Sequence, residues 1–156
     1  MKVNEFASNF QYENAVMTEG NFTNNLVQSG DSANLDSEAE VSVSNIYADE
    51  SSGKKLGRVK LELSGTFSVT DHPEANCTYR FVFNGEFSTS QDTPDKDFYK
   101  ALWFNGSTAL YGIARAKIET ISSMIMQSGK ISLPMVNMVE LVKEQHKQKM
   151  QAAAEK

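Results

Sequence analysis

The sequence predicts an α+β fold: a four-stranded antiparallel sheet with two C-terminal helices packed on one of its faces. Two observations carry this. Up to about residue 90, apolar side chains tend to recur at every second position, the period of strands with one dry and one wet face. Beyond it they recur at spacings of three and four, the period of amphipathic helices. A run of strands followed by a run of helices gives segregated layers rather than alternating β-α-β units. A length of 156 residues suits one core of ordinary size, and 40% hydrophobic with 22% charged residues is a globular composition. One domain is expected over residues 1–145, with 146–156 a polar tail, helical or frayed.

The first strand is expected over Val3–Met17, a weakly patterned stretch holding Phe6, Phe10 and Tyr12. Residues 18–37, rich in Asn, Ser, Gly and Asp, read as a long mobile connection. Val41 and Val43 then alternate with Glu40, Ser42 and Ser44, and the slip to Ile46 marks a bulge or strand end. A polar loop from Asp49 to Lys55 leads into the clearest strand. There Val59, Leu61, Leu63, Phe67 and Val69 face one way, and Arg58, Lys60, Glu62, Ser64, Thr66 and Ser68 the other. His72 to Asn76, containing Pro73, is expected to turn. Cys77, Tyr79, Phe81, Phe83 and Phe87 then form a second dry face against Thr78, Arg80, Asn84 and Glu86, with Val82 breaking the polar side. The two runs make an antiparallel hairpin.

Thr93-Pro94 offers an N-cap and an N1 proline to a helix ending near Phe104 and burying Phe98, Leu102 and Trp103. Asn105-Gly106-Ser107 is expected to interrupt it, and Ser107 or Thr108 to cap a longer helix. The stripe of that helix is Leu110, Ile113, Ala114, Ile118, Ile121, Met124 and Ile125, with Gly129 as its C′ glycine. Lys130 to Val136 must be extended around Pro134. Asn137 with Glu140 resembles a capping box for a last helix. Its apolar residues, Met138, Val139, Leu141 and Val142, lie only in the first turns.

The formal charge of −5 argues against a general nucleic-acid binder. It is unevenly spread: residues 1–50 hold one base and nine acids, and residues 51–156 fourteen bases and eleven acids. One cysteine, Cys77, cannot close an internal disulfide and fits a reducing compartment. No apolar run approaches the ~18–20 residues of a membrane span, and the N-terminus lacks the apolar stretch of a signal peptide, so the expected location is the cytoplasm. The two histidines, His72 and His146, have no partners at metal-ligand spacing, and no P-loop, dinucleotide fingerprint or serine elbow is present. Glu38 and Glu40 read as a solvated strand edge rather than an acid–base pair. An enzyme is disfavoured, and neither cofactor nor metal is expected. The unusual feature is apolar content on segments poor at hiding it. The stretch Ile131–Val136 contains a proline, and five of the seven methionines lie between 124 and 150. Methionine suits core packing, and also surfaces that adapt to many partners.

The C-terminal half resembles the SecB family of bacterial export chaperones. The residues that carry the resemblance are Asn84-Gly85-Glu86-Phe87-Ser88, Ala109-Leu110-Tyr111-Gly112-Ile113-Ala114-Arg115, Ile118, Ile121-Ser122-Ser123-Met124, Gly129, Leu133-Pro134, Val136-Asn137 and Leu141. Glu40-Val41-Ser42-Val43 and residues 57–70 are similar to the family's second and third strands. The resemblance spans about residues 38 to 145 and implies a homo-oligomer, a dimer of dimers, that holds unfolded client proteins in apolar grooves without ATP. Its exporting members keep clients export-competent and hand them to SecA, and relatives control toxin–antitoxin pairs. Three departures stand out: Gly112 where the family has proline, Arg80 where exporters present an acidic group toward SecA, and no match to their N-terminal Lys-Asp-x-Ser-Phe-Glu segment.

The resemblance makes the expected function that of a holdase for unfolded or nascent clients, the alternative being an adaptor for one partner such as an antitoxin. The groove is expected from Val41, Val43, Ile46, Met124, Ile131, Leu133, Met135, Met138, Leu141 and Val142, with the last helix as a movable lid. A partner-facing sheet surface is expected from Arg58, Lys60, Glu62, Arg80 and Glu86. Asp31, Asp36, Glu38, Glu40, Asp49 and Glu50 are expected to flank the groove and favour basic clients. Leu133→Asp with Leu141→Asp is expected to weaken client binding while the oligomer survives.

Overall fold

The computed structural model describes residues 9–25, 33–44, 46–126 and 129–154. Five antiparallel strands come first: β1 (Gln11–Asn24), β2 (Ala33–Val43), β3 (Tyr47–Asp49), β4 (Lys54–Val69) and β5 (His72–Ser90). They lie in the order β1-β5-β4-β2, with the short β3 continuing the β2 side of β4. The slip at Ile46 is thus a strand end, which turns the expected four strands into five. The helices follow: α1 (Asp95–Ala101), a π turn (Leu102–Gly106), α2 (Ser107–Ile125) and α3 (Met138–Ala154). The architecture is α+β, an antiparallel sheet with the helices in the C-terminal part.

The alternation in β4 and β5 places Val59, Leu61, Leu63, Cys77, Tyr79, Phe81, Phe83 and Phe87 in the core under the helices. Val82 points to the opposite, open face yet is 1% exposed. Its direct neighbours across the two ladders are Glu62 and Glu19. Their side chains are long enough to cover an apolar residue while keeping their charges wet.

Several elements differ from expectation. Strand β1 runs on to Asn24, so most of the expected connection before residue 25 is strand; residues 1–8 and 26–32 lie outside the described residues. Two register shifts, between Tyr12 and Asn14 and between Met17 and Glu19, break its alternation, so periodicity could not reveal it. It is held by its ladder with β5 while Tyr12, Val16 and Met17 stay exposed. The hairpin turns at Thr70-Asp71 rather than at His72–Asn76, and Pro73 falls in the register irregularity between Ser68↔Asn76 and Val69↔His72.

Helix α1 starts one residue later than expected, with Pro94 at the N-cap and no side-chain cap. The Thr93 hydroxyl pairs with that of Thr89 at 3.0 Å instead. Lys55 Nζ ties this end down, donating to the Thr93 carbonyl at 2.7 Å and to Asp95 at 2.6 Å. Asn105-Gly106-Ser107 does not interrupt the helix: the π turn carries it through. Ser107 and Thr108 cap nothing, since their hydroxyls donate back to the Trp103 and Phe104 carbonyls. Glycines let this segment sit directly on the sheet. A Cβ on Gly106 would lie 2.9 Å from Val59, and one on Gly57 would lie 2.5 Å from Leu102. Helix α2 ends at Ile125 with an extended Met126, so Gly129, though at φ +77°, is not its C′ residue. Asn137 does cap α3, accepting from the Glu140 N–H at 3.3 Å. Helix α3 continues through the polar tail to Ala154.

Candidate functional site

The crossover between α2 and α3 is an extended strip pinned to α2 at three points. The Ser122 hydroxyl, buried, accepts from the Ile131 N–H at 2.8 Å. Arg115 Nε donates to the Leu133 carbonyl at 2.5 Å. The Tyr111 hydroxyl donates to the Pro134 carbonyl at 2.8 Å. An extended segment with a proline cannot satisfy its own main chain, so α2 does this for it. Ile131 and Leu133 then turn inward and join the core.

Helix α3 is attached differently. Met138 and Val142, four residues apart on one helix face, insert into the core. Three residues on, Gln145 reaches the side of β2 away from β4. Its Nε2 donates to the Ala39 carbonyl at 2.6 Å and its Oε1 accepts from the Val41 N–H at 3.2 Å. The next residue, His146, sets its ring edge-on to Trp103 at 4.4 Å. A hollow of about 560 Å³ between β2 and α3 is lined by Glu38, Ala39, Glu140, Leu141, Glu144, Gln145 and Gln148.

The expected groove residues fall into two sets. Val41, Ile131, Leu133, Met138 and Val142 are buried and belong to one core cluster. Val43, Ile46 and Leu141 are half-buried against it. Met124 and Met135 stand out at 81% and 83% exposed, with Arg115 Nη1 2.9 Å from the Met135 sulfur. In this conformation the ten do not line one open groove, because five of them are buried in the core. Sequence reading missed Gln145, Tyr111, Arg115 and Ser122 as positioning residues. The spacing Met138, Val142, Gln145 (i, i+4, i+7) was the available signal that Gln145 shares the buried face.

The five residues of the expected partner-facing surface do lie together on the open face, and each carries an ion pair. Arg80 bridges two strands, with Nε donating to Glu62 at 2.7 Å and Nη1 to Glu19 at 2.8 Å. Arg58 donates to Glu86 at 2.9 Å, and Lys60 lies 3.7 Å from Glu62. The bond from Arg80 holds the Glu62 carboxyl below its usual range.

Of the acids expected to flank the groove, those described lie on β2 and in the β3–β4 turn, where Glu50 is exposed. Asp36, Glu38 and Glu40 alternate along β2 opposite Thr66, Ser64 and Glu62, in the polar row of the open face, and of these Glu38 reaches the hollow beside α3. Asp49 builds the β3–β4 turn, accepting from the Ser51 and Ser52 hydroxyls, both at 2.6 Å. Asp31 lies outside the described residues. The Cys77 thiol is buried, and desolvation pushes its pKa up, against nucleophilic use. His72 does have a carboxylate neighbour, Glu74 at 3.2 Å, on the surface. Among the described residues no cluster of His, Cys, Asp or Glu could hold a metal ion, and no helix is long and apolar enough to cross a membrane.

No family model and no curated protein matches the sequence. Among solved structures the chain is similar to Rv1957 of Mycobacterium tuberculosis, a SecB-like chaperone in complex with a ChAD peptide from the Rv1956 HigA1 antitoxin. The TM-score is 0.59 over 81% of this chain and 90% of that chain, at 14% identity. The chain has a SecB-like fold. A Streptococcus agalactiae protein of unknown function is also similar, with a TM-score of 0.48 and 10% identity over 81% of this chain and 97% of that one. The crossover between α2 and α3 contains Leu133-Pro134 and Val136-Asn137, which carried part of the sequence resemblance.

Proposed function

We propose that this chain is an ATP-independent holdase that binds unfolded, apolar segments of client proteins. The observation that carries the reading is the unequal attachment of the two covers of the apolar layer. The crossover is tied to α2 by three hydrogen bonds. Helix α3 rests on the π turn and α2, sets Met138 and Val142 in the same core with Leu141 half-buried beside them, and reaches β2 through the two bonds of Gln145. Lifting α3 would open a surface that includes Val41, Ile131, Leu133, Met138 and Val142, and a client segment would take its place. Val43, Ile46, Leu141, Met124 and Met135 would extend that surface at its margins. A second reading, an adaptor for one partner such as an antitoxin, is supported by the antitoxin peptide bound to the structurally similar chaperone. Assembly as a dimer of dimers would give one long client several such surfaces at once. Holding clients for export is the narrower form of the holdase reading, and a SecA contact would use the open face around Arg58, Lys60, Glu62, Arg80 and Glu86.

The test is light scattering of several unrelated unfolded proteins with and without this chain, in the absence of nucleotide. Size-exclusion chromatography with multi-angle detection, with and without one denatured client, reports complex and oligomer together. A holdase suppresses aggregation of most clients; an adaptor ignores most of them and binds one. Failure to retain any unfolded polypeptide would refute both.

A further inference from the structure

The free side of β2 is the place where an edge strand offers unpaired main-chain groups, because no described strand pairs with it there. The Ala39 carbonyl and the Val41 N–H point away from β4, and both are engaged by the Gln145 carboxamide. A carboxamide has the donor and acceptor of a peptide group. At this one point a side chain therefore occupies the position that the main chain of an added strand would take. Gln145 is carried by α3, and the adjacent His146 rests on Trp103, whose indole N–H is buried without a hydrogen-bond partner among the described residues.

We infer that the β2 edge at Ala39–Val41 reads the main chain of an extended polypeptide segment by strand addition, and that Gln145 is its internal competitor. The inference rests on the client-binding reading and deepens it. It assigns the partner's backbone, rather than its side chains, to a defined pair of groups, and it makes α3 a lid that closes onto its own substitute for the client. The hollow beside this edge gives an added strand room once Gln145 withdraws. Its alternate side chains would face the apolar layer and the open face in turn. The charged groups around it are Glu38, Glu140 and Glu144, with Lys143 2.9 Å from Glu140 and Lys147 3.9 Å from Glu144. Asp36 and Glu40 stand in the same polar row of β2 as Glu38. A second acidic β2 edge would be repelled, so self-pairing is disfavoured there.

The decisive variant is Gln145→Met, which keeps length and helix propensity and removes the carboxamide. The probes are reduced, carboxymethylated α-lactalbumin and a short peptide of alternating leucine and lysine. The expected result is about tenfold tighter binding of both by Gln145→Met, since a lid that closes less firmly leaves more competent protein. Hydrogen exchange should find the Val41 amide protected in the free wild type, exposed in free Gln145→Met and protected again in its client complex. N-methylation of the peptide should abolish binding at residues of one parity and spare the other. If wild type and variant bind neither probe, the holdase reading itself fails. If they bind but the variant is no tighter, if Val41 stays exposed in the complex, or if both parities of N-methylation act alike, the edge is not the reading site and the holdase reading survives.

Discussion

Leu133 and Leu141 look equivalent in sequence, as two leucines near a proline-containing crossover, and the structure separates them. Leu133 is 2% exposed in the core, and its carbonyl is held by Arg115. Leu141 is half-buried at the margin, beside the hollow next to β2. Leu133→Asp would remove a fully packed side chain, about 2–5 kcal/mol for leucine-to-alanine alone, and would add the burial of a carboxyl group. A total of about 6 kcal/mol approaches or exceeds the whole stability of many domains, which is roughly 5–15 kcal/mol. Leu141→Asp should cost about 1 kcal/mol, because water already reaches the site. Urea unfolding followed by tryptophan fluorescence would read the difference. With a slope of about 2 kcal/mol/M, Leu133→Asp lowers the midpoint by about 3 M or leaves the chain unfolded, and Leu141→Asp lowers it by less than about 1 M. The pH dependence has a definite sign. Burial raises the introduced carboxyl's folded pKa above its unfolded value, so the deficit is full above the folded pKa and shrinks as pH falls through it. Equal midpoints for the two variants, or an unshifted one for Leu133→Asp, would refute the packing argued above. The double substitution suggested by sequence would therefore report unfolding, and Leu141→Asp alone is the usable groove variant.

Two further outcomes follow from single residues. Gly112 lies in the second turn of α2 with nothing within 4 Å of a built Cβ, so Gly112→Ala should stabilise the chain by about 1 kcal/mol through helix propensity, seen as a higher urea midpoint. The Cys77 thiol should resist a water-soluble disulfide reagent at pH 8 in the native chain and react promptly in denaturant, because it is buried and its pKa is raised; fast native labelling would contradict its place in the core.

The part of the fold legible in sequence is the part where one face meets the core and the other meets water. Strands β4 and β5 and the α2 stripe as far as Ile121 write that contrast directly into their residues, while Met124 and Ile125 at its end are exposed. Strand β1 does not: two register shifts scramble its alternation, and its ladder with β5, a long-range pairing, supplies what its own side chains do not. The π turn was hidden because Asn105-Gly106-Ser107 has the local chemistry of a break. Only the close approach of Gly106 to Val59 shows why a glycine there serves packing. At the candidate site the apolar residues were visible but their depth was not, since an apolar residue on a crossover can face either the core or a client. Gln145 was hidden for the opposite reason: it sits among polar residues of a tail and acts through main-chain groups about a hundred positions earlier.

In the proposed holdase α3 is the lid, and what it would lose on lifting sets what a client would have to supply. Met138 and Val142 each forfeit about 2 kcal/mol of burial and Leu141 about half of that. The two Gln145 bonds add about 1 kcal/mol each. The sum, about 7 kcal/mol before Val41, Ile131 and Leu133 are counted, would keep an open form well below one molecule in about 10⁴ without a client. Lifting the crossover would cost a similar total, about 4 kcal/mol for Ile131 and Leu133 and about 3 kcal/mol for three hydrogen bonds, one of them to the buried Ser122. A client of the proposed holdase would have to return at least about 7 kcal/mol through α3's site, which two or three large apolar side chains and a few main-chain bonds could supply. Unfolded chains present such segments, whereas folded surfaces seldom expose them contiguously. In that reading release would need no nucleotide: once the client folded, the side chains that had held α3 open would be buried in the client's own core, and α3 would close again with Gln145 on Ala39 and Val41.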